Sequence, residues 1–170
     1  MIIDLANLGN SIKKIELSFE PSEIDLKGEL VKMDGTTRIR GETEKIDSRG
    51  RLRATIGTDV SFECTRCLDP IARHLDIPFE AVFVDSADED TAAEKEVADE
   101  HLDESLVENG KIDIAEVVRE QILLAIPEQI FCTDDCRGLC AKCGENLNLI
   151  DCMCADNDID PRWAALKNLK

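Results

Sequence analysis

The chain has 170 residues and a mass of 18.9 kDa, a size that suits one ordinary domain with or without a small appendage. Hydrophobic residues make up 43% of it and charged residues 34%, and no apolar run approaches the roughly 18 residues of a membrane helix, which excludes a protein that spans a membrane with helices. The 37 acidic and 20 basic side chains leave a net charge of −17, which argues against nonspecific nucleic-acid binding and favours basic partners.

The beginning of the chain and its cysteine content predict where the protein works. Residues 1–10 hold one Asp and no Lys or Arg, so they lack the charged leader and long apolar stretch of a secretory signal. We therefore expect a cytoplasmic protein with no membrane partner. Because cytoplasmic thiols are kept reduced, the eight cysteines indicate metal or redox chemistry rather than structural disulfides.

Two segments in the first half alternate apolar and polar residues with the period of two that marks a strand with one buried face. These segments, 51–63 and 73–84, are predicted to be strands joined through Cys64 to Pro70. Pro78 has no amide N–H to donate to a neighbouring strand, so the second strand is expected at an edge of the sheet.

Further strands are predicted upstream of these two. Thr37 to Ile46 can pair with the strand at 51–63 through the turn-like residues 47–50, and residues 12–19 are a weaker strand candidate. Residues 20–34 show no clear pattern. The predicted fold class is therefore α+β, with an antiparallel β meander in the form of a small barrel or a sandwich-like sheet.

An acidic segment and a helix follow the predicted meander. Residues 85–104 contain ten carboxylates and one lysine, and their low hydrophobicity and like-charge repulsion favour a mobile loop over a marginal helix. Residues 113–126 carry apolar side chains at helical spacing, with Asp113 as the N-cap and Pro127 ending the run. The sequence thus predicts one long helix after an acidic loop.

The C-terminal block, residues 131–170, is predicted to be separate from a β-rich core domain at 1–130. Residues 131–154 are rich in Cys, Gly, Asn and Asp, and are too polar to fold by apolar burial alone. A short helix is expected to begin at Asp160, with Pro161 in its first turn, and to pack back on the core. The apolar face of that helix consists of Trp163, Leu166 and Leu169.

The cysteines form four close pairs, a spacing typical of zinc sites in which thiolates bind at ~2.3 Å. After Cys140-Ala-Lys-Cys143, Gly144 can adopt the positive φ that folds a zinc knuckle back. Eight thiolates predict two structural zinc ions. We assign Cys140, Cys143, Cys152 and Cys154 to one ion and Cys64, Cys67, Cys132 and Cys136 to the other, which is expected to clamp the sheet to the C-terminal block.

Other uses of the same cysteines stay open at this stage. A competing partition places Cys132, Cys136, Cys140 and Cys143 in one local site and Cys64, Cys67, Cys152 and Cys154 in the other. Iron–sulfur ligation tolerates similar spacing, but the run ending in Cys-Pro that marks many bacterial clusters is absent. A thioredoxin-like redox pair is disfavoured because Cys64 and Cys67 lie between strands rather than at a helix N-terminus.

No catalytic site is predicted. Catalytic zinc keeps an open coordination position and usually has His or carboxylate ligands, whereas His74 and His101 are expected to be ordinary surface histidines. The sequence has no deaminase motif, no Walker loop, no Gly-x-Gly-x-x-Gly and no Gly-x-Ser-x-Gly. We therefore expect a non-enzymatic protein without a small-molecule substrate.

Three motif blocks, taken in order, resemble the YceD family over nearly the whole chain. They are Cys64-Thr-Arg-Cys67-Leu68 after a strand, Glu120-Gln-Ile-Leu-Leu-Ala-Ile-Pro127 after the acidic segment, and Gly138-Leu-Cys-Ala-Lys-Cys-Gly-Glu-Asn-Leu-Asn148 with Asp160-Pro161-Arg162 near the end. The resemblance implies a bacterial or plastid ribosome biogenesis factor that large-subunit ribosomal RNA needs in order to accumulate. It also supports Cys64 and Cys67 as a functional pair.

Charge suggests which partners such a factor would bind. The acidic segment 85–104 would attract a basic ribosomal protein or assembly factor by long-range steering. Ribosomal RNA would instead be contacted through five strand residues, Arg38, Arg40, Arg49, Arg51 and Arg53, although a solvated strand face is the favoured interpretation of these. A metal-dependent nuclease is least favoured, and the alternative role is a zinc-ribbon protein-interaction or regulatory module with no direct ribosomal role.

Overall fold

A computed structural model gives the fold of most of the chain. It describes residues 1–9, 11–26, 31–87, 104–154 and 162. Within these residues the protein is mostly β-sheet with one α-helix, which confirms the predicted combination of strands with a long helix. The described part of the chain contains no helix with the length and apolar character that a membrane span requires.

The described residues form two compact units. The first consists of Met1–Phe62 with Pro70–Glu128, and the second joins Glu63–Asp69 to the chain from Gln129 onward. The second unit therefore combines a short connection between two strands with a segment that begins 60 positions later in the sequence. The boundary at residue 130 that the sequence suggests stays a prediction.

The described residues contain eight strands, two short 3-10 helices and one α-helix, α1, at Ile114–Ala125. The strands are β1 Ile2–Asp4, β2 Lys13–Phe19, β3 Val31–Met33, β4 Thr37–Ile46, β5 Arg49–Glu63, β6 Pro70–Asp85, β7 Glu104–Val107 and β8 Lys111–Asp113. The larger sheet has the order β2-β4-β5-β6-β7, with β3 paired to β5. β1 and β8 form a separate two-stranded antiparallel sheet.

The antiparallel pair β4 and β5 lies in the core of the first unit. Its register places Ile39 opposite Ile56, and both side chains are fully buried. Leu52 and Val60 are buried on the same face as Ile56, since residues of one parity share a face of a sheet. Each such side chain contributes about 1.5–3 kcal/mol by leaving water. This burial confirms the alternation predicted for residues 51–63.

The other predicted strands are present with small changes in their bounds. β4 coincides with the predicted strand at 37–46, and β2 begins one residue later than predicted. Asp47, in the predicted turn, has a φ of 56°, a left-handed conformation that Asp tolerates better than most residues. β3 falls in the stretch without a clear pattern, because three residues are too few to reveal a period of two.

The larger sheet is mixed, because β7 pairs with β6 in parallel while β2, β3, β4 and β5 pair antiparallel. A parallel neighbour requires a long connection, and the segment between Asp85 and Glu104 has that length. β7 pairs with Val82–Asp85, so within the described residues Pro78 lies on a stretch of β6 that β7 does not reach. The sheet order places β6 between β5 and β7, so the prediction of an edge strand is wrong, although the stretch at Pro78 suits a residue without an amide N–H. The barrel or sandwich form stays a prediction.

Helix α1 confirms the predicted helix with its last residue one position earlier. The Asp113 carboxylate accepts a hydrogen bond from the Ala115 amide at 3.0 Å, so Asp113 is the N-cap that the sequence predicted. The helix buries an apolar stripe consisting of Ile114, Val117, Val118 and Ile122. Pro127, which lacks an amide N–H, follows the C-cap at Ile126.

Three predictions fall outside the described residues. The acidic loop is described only at its ends, Asp85 to Ala87 and Glu104. His101 lies within the same gap. The C-terminal helix predicted from Asp160 also lies outside the described residues, apart from Arg162, which is exposed.

Candidate metal centres

The eight cysteines gather into two groups of four, both within the second unit. In each group, all four sulfur atoms lie within 4.8 Å of one another, so each group can hold one metal ion. The first cysteine group is Cys64, Cys67, Cys132 and Cys136, and the second cysteine group is Cys140, Cys143, Cys152 and Cys154. The structure therefore brings the cysteines together in the assigned grouping rather than in the competing one.

The first knuckle, Cys64 to Asp69, lies in the connection between β5 and β6. The Leu68 amide donates a hydrogen bond to the Cys64 carbonyl at 2.9 Å, and the Cys64 amide donates to the Asp69 carbonyl at 2.8 Å. These two bonds fold the backbone back on itself. The turn directs the sulfurs of Cys64 and Cys67 into the same cysteine group.

The second knuckle, Cys140 to Glu145, repeats this hydrogen-bond pattern. The Gly144 amide donates to the Cys140 carbonyl at 2.8 Å, and the Cys140 amide donates to the Glu145 carbonyl at 2.8 Å. Gly144 has a φ of 77°, the positive value that the sequence predicted for it. Gly lacks a Cβ and adopts this conformation without strain.

Backbone hydrogen bonds connect the two knuckles. The Leu139 amide donates to the carbonyl of Arg66 at 3.0 Å, and Leu139 also forms an isolated antiparallel bridge with Asn146. The Arg66 guanidinium donates to the Cys136 carbonyl at 3.0 Å and lies 3.9 Å from the centre of the Phe131 ring. Arg66 thus positions the backbone of the first cysteine group.

The spacing of the sulfur atoms in the first cysteine group fits a tetrahedral metal ion. The sulfurs of Cys64 and Cys136 are 3.8 Å apart, and those of Cys67 and Cys132 are 3.6 Å apart. Four ligands at ~2.3 Å from a tetrahedral ion are separated by about 3.8 Å. A disulfide would require about 2.05 Å, and all eight cysteines are free thiols.

Polar groups donate hydrogen bonds to the sulfurs of the first cysteine group. The Cys132 amide donates to the Cys64 sulfur at 3.4 Å, and the Asn148 side-chain amide donates to the Cys136 sulfur at 3.3 Å. Asn148 is held in place because its side-chain oxygen accepts a hydrogen bond from the Arg137 amide at 2.7 Å. Such donors orient ligands around a metal ion and stabilise the thiolate form. The sequence did not predict this role for Asn148, although it stands in the third motif block.

The first thiol of each knuckle has a lowered pKa. Burial raises the pKa of Cys64, but backbone hydrogen bonds from Cys67 and Arg66 outweigh that effect and lower it to about 6. At Cys140, the backbone amides of its own turn, that of Cys143 above all, lower the pKa to about 6. Amides that point at a sulfur favour its thiolate, the form that binds metal.

Other thiols of each group have a raised pKa. The Cys143 side chain and burial raise the pKa of Cys154 to about 12. The backbone amide of Asp69 lowers the pKa of Cys67, but burial and the side chains of Cys64 and Asp69 raise it above its usual value. Neighbouring thiolates repel one another, so a bound cation is what can hold all four deprotonated.

The five arginines predicted as an RNA-binding patch lie on β4 and β5, and four of them form ion pairs with carboxylates of the chain. Arg40 contacts Glu16 at 2.8 Å and Arg49 contacts Glu104 at 2.7 Å. Glu80 contacts Arg51 at 3.4 Å and Arg53 at 2.9 Å, and Arg51 also contacts Glu44 at 3.3 Å. Arg38 is exposed. This arrangement is typical of a solvated strand face.

His74 is an exposed residue of β6 that contacts carboxylates rather than cysteines. Its Nδ1 lies 2.7 Å from an oxygen of Asp59, and its Nε2 lies 3.5 Å from one of Asp76. The hydrogen bond to Asp59 raises the pKa of His74 above its usual value. These contacts fit the predicted surface histidine.

Comparison with known proteins places the chain among its relatives. The family described as Large ribosomal RNA subunit accumulation protein YceD matches residues 52–170. The chain belongs to the YceD family. The match includes most of β5, all of β6 and α1, and all eight cysteines, and it confirms the resemblance that the motif blocks indicated.

Three curated proteins are similar to this chain over different lengths. An uncharacterized protein of Mycobacterium tuberculosis is 27% identical over 172 residues, which cover 98% of this chain and 79% of the relative. The uncharacterized protein YlbN of Bacillus subtilis is 29% identical over 159 residues, 89% of this chain and 88% of the relative. The chloroplast protein of Arabidopsis thaliana named Large ribosomal RNA subunit accumulation protein YCED homolog 1 is 37% identical over 60 residues, 35% of this chain and 19% of the relative. No solved structure matches the chain.

Proposed function

We propose that this YceD protein is a non-enzymatic, zinc-binding ribosome biogenesis factor that promotes the accumulation of large-subunit ribosomal RNA by binding a basic ribosomal protein or assembly factor. The observation that carries the proposal is the pair of four-cysteine groups in a family named for large ribosomal RNA accumulation. Four thiolates fill a tetrahedral zinc ion and leave no position for water or substrate, which favours a structural role over a catalytic one.

Zinc suits the donor set and the composition of the second unit. Thiolates prefer zinc to magnesium or calcium, and the 3.6 and 3.8 Å sulfur separations match the tetrahedral spacing. Structural zinc supplies about 10–16 kcal/mol in small zinc modules. A unit with few buried apolar side chains, of which Ile130 is one, would gain its fixed shape from that binding energy.

A basic protein partner is favoured over ribosomal RNA by electrostatics. The chain carries a net charge of −17, and each four-thiolate zinc site adds a formal charge of about −2. Arg40, Arg49, Arg51 and Arg53 already pair with carboxylates of the chain, so a phosphate backbone would have to displace those partners. Direct binding of ribosomal RNA through Arg38 and these four arginines would contradict the proposal of a basic protein partner.

The function can be tested in cells that lack the gene and carry a plasmid copy. Loss of the gene should lower large-subunit ribosomal RNA relative to small-subunit RNA, and the wild-type copy should restore the ratio. A Cys64→Ser, Cys67→Ser copy should fail to restore it, and elemental analysis should find two zinc ions in the wild-type protein and fewer in the variant. An unchanged RNA ratio after gene loss would favour the module without a direct ribosomal role.

A further inference from the structure

Leu68 has a backbone conformation and an exposure that do not suit a leucine. Its φ is 62°, in the left-handed region, where a residue with a Cβ loses roughly 1–2 kcal/mol. It occupies the position in the first knuckle that Gly144 occupies in the second, and both amides bond to the carbonyl four residues earlier. The leucine is nevertheless 58% exposed, so core packing does not account for it either. Strain of this kind, without a packing reason, points to a functional role.

Two more exposed apolar side chains lie in a turn that is hydrogen-bonded to the first knuckle. The side-chain amide of Asn146 donates to the Asp69 carboxylate at 3.0 Å, which joins the first knuckle to the turn that follows the second. In that turn, the amides of Leu149 and Ile150 both donate to the Asn146 carbonyl, at 3.1 and 3.2 Å. Leu149 is 79% exposed and Ile150 is 48% exposed. Leu68, Leu149 and Ile150 are named the Leu68 patch below.

The charges around the Leu68 patch select the kind of partner. Asp69 and Asp151 adjoin its residues in sequence, Glu145 ends the second knuckle, and all three are exposed. Asp69 also accepts a hydrogen bond from Asn146 and Asp151 pairs with Arg137, so a basic partner would share these two carboxylates and meet Glu145 directly. Across 63–69 and 129–154 there are six carboxylates and three basic side chains, before the thiolates are counted. A phosphate backbone would be repelled by this surface, and so would a second copy of the chain, whereas Lys and Arg would be attracted.

We propose that the Leu68 patch is the docking surface for a protein segment that carries apolar side chains flanked by Lys or Arg. Apolar side chains of the segment cover Leu68, Leu149 and Ile150, and its basic side chains pair with the surrounding carboxylates. The strained backbone at Leu68 is retained because the leucine side chain contacts the partner rather than the core of the protein. This inference rests on the proposed function, since it specifies where the basic partner binds and which side chains of the partner make the contact.

The substitution Leu68→Gly separates docking from packing because the two roles predict opposite signs. Glycine relieves the left-handed strain but adds freedom to the unfolded chain, so Tm should stay the same or rise by up to about 3 °C. Zinc content should not change. Loss of the leucine from a contact surface should weaken partner binding about tenfold. If Tm fell instead, Leu68 would be a packing residue and the proposal would fail.

Binding is measured with the full chain in cells, with a photo-crosslinking amino acid at position 149. We expect an adduct with a protein whose crosslinked segment contains apolar residues beside Lys or Arg, and we expect Leu68→Gly in the same chain to lower the adduct yield about tenfold. The matched control is Leu124→Ser, because Leu124 is 78% exposed but lies on α1 in the first unit. This control should leave the yield unchanged.

Each other outcome of the crosslinking overturns the docking proposal. An adduct with RNA, an adduct with a second copy of this chain, the absence of any adduct, or an equal yield with Leu68→Gly would exclude the assigned surface. Large-subunit RNA is measured in the same cells without crosslinking. A normal RNA ratio after gene loss would end the proposed function, whereas a reduced ratio without the protein adduct would end only the docking surface.

Discussion

The two cysteine groups use the same knuckle but join very different stretches of chain. In the first group, residues 68–131, 64 in number, separate Cys67 from Cys132, whereas in the second group residues 144–151, only 8, separate Cys143 from Cys152. Cys64 is fully buried, but Cys143 and Cys154 are exposed. The same local turn therefore occurs in a buried site that joins distant segments and in an exposed site that closes a short loop. The length of the loop and the exposure of the cysteines distinguish the two sites.

Loop closure gives this difference an energetic scale. In a chain-entropy view, a cross-link that closes a 64-residue loop contributes about 4 kcal/mol, and one that closes an 8-residue loop about 2.5 kcal/mol. With a metal ion bound, the first cysteine group would therefore hold distant segments of the second unit together. The second group shapes a local turn beside the Leu68 patch.

The largest expected effect comes from removing a buried ligand. Cys64→Ser should lose the first zinc ion and at least about 4 kcal/mol of unfolding free energy, because the 64-residue loop is no longer closed. Cys143→Ser, the matched variant of the second knuckle, should lose the other ion and at least about 2.5 kcal/mol, a smaller contribution from loop closure. Zinc analysis and urea unfolding of both variants measure this, and equal losses would break the comparison.

Metal release should follow exposure. A chelator with a coloured zinc indicator should remove one ion quickly from the second cysteine group and one slowly from the first, because water and chelator reach Cys143 and Cys154 without unfolding. A difference of about 1.4 kcal/mol in opening free energy is enough to separate the two rates tenfold. Cys143→Ser should abolish the fast phase, and a single phase for both ions in the wild type would contradict the unequal access.

Removal of the hydrogen bond from Asn148 should lower the zinc affinity of the first cysteine group only, and by less than the loss of a cysteine ligand. Asn148→Ala removes the donor to the Cys136 sulfur and should weaken zinc binding to the first group about 10–100-fold. Competition titration with a chelator of known affinity measures both ions, and the second group should keep its affinity. Asn7→Ala, at an exposed asparagine of the first unit, is the control that should change neither.

The sequence predicts those parts of the molecule that depend on short-range patterns. The alternation at 51–63 predicted β5, the cap at Asp113 predicted α1, and the eight-residue spacing after Cys143 predicted the second cysteine group. Each of these signals is contained in a window of fewer than twenty residues. Local periodicity and loop length act within such windows, which is why the predictions hold there.

The close cysteine pairs allowed the distant members of the first cysteine group to be assigned from the sequence, but three other features of the structure escaped it. β1 and β8 have three residues each, and their pairing joins Ile3 to Ile112 across more than one hundred positions. Asn148 reaches the sulfur of Cys136, and its type alone does not reveal that contact. The strain at Leu68 depends on a φ value that a leucine rarely adopts, so no propensity predicts it. Three-dimensional geometry was needed for all three.

The smallest expected effect tests whether the two knuckles are equivalent in their backbone. Gly144→Ala should cost about 1 kcal/mol, because a Cβ is strained at a φ of 77° and only part of that strain is offset by the stiffer unfolded chain. Nothing lies within 4 Å of the position that the Cβ would occupy, so a clash contributes nothing.

Gly35→Ala is the matched control, since Gly35 also has open space around it but no positive φ, and its substitution should be neutral or slightly stabilising. If Gly144→Ala proved as harmless as Gly35→Ala in urea unfolding, the left-handed position would carry no strain, and Leu68 would need no special reason. If it is costly, the first knuckle bears the same penalty in the wild type, and the exposed leucine must be retained for what it contacts outside the chain.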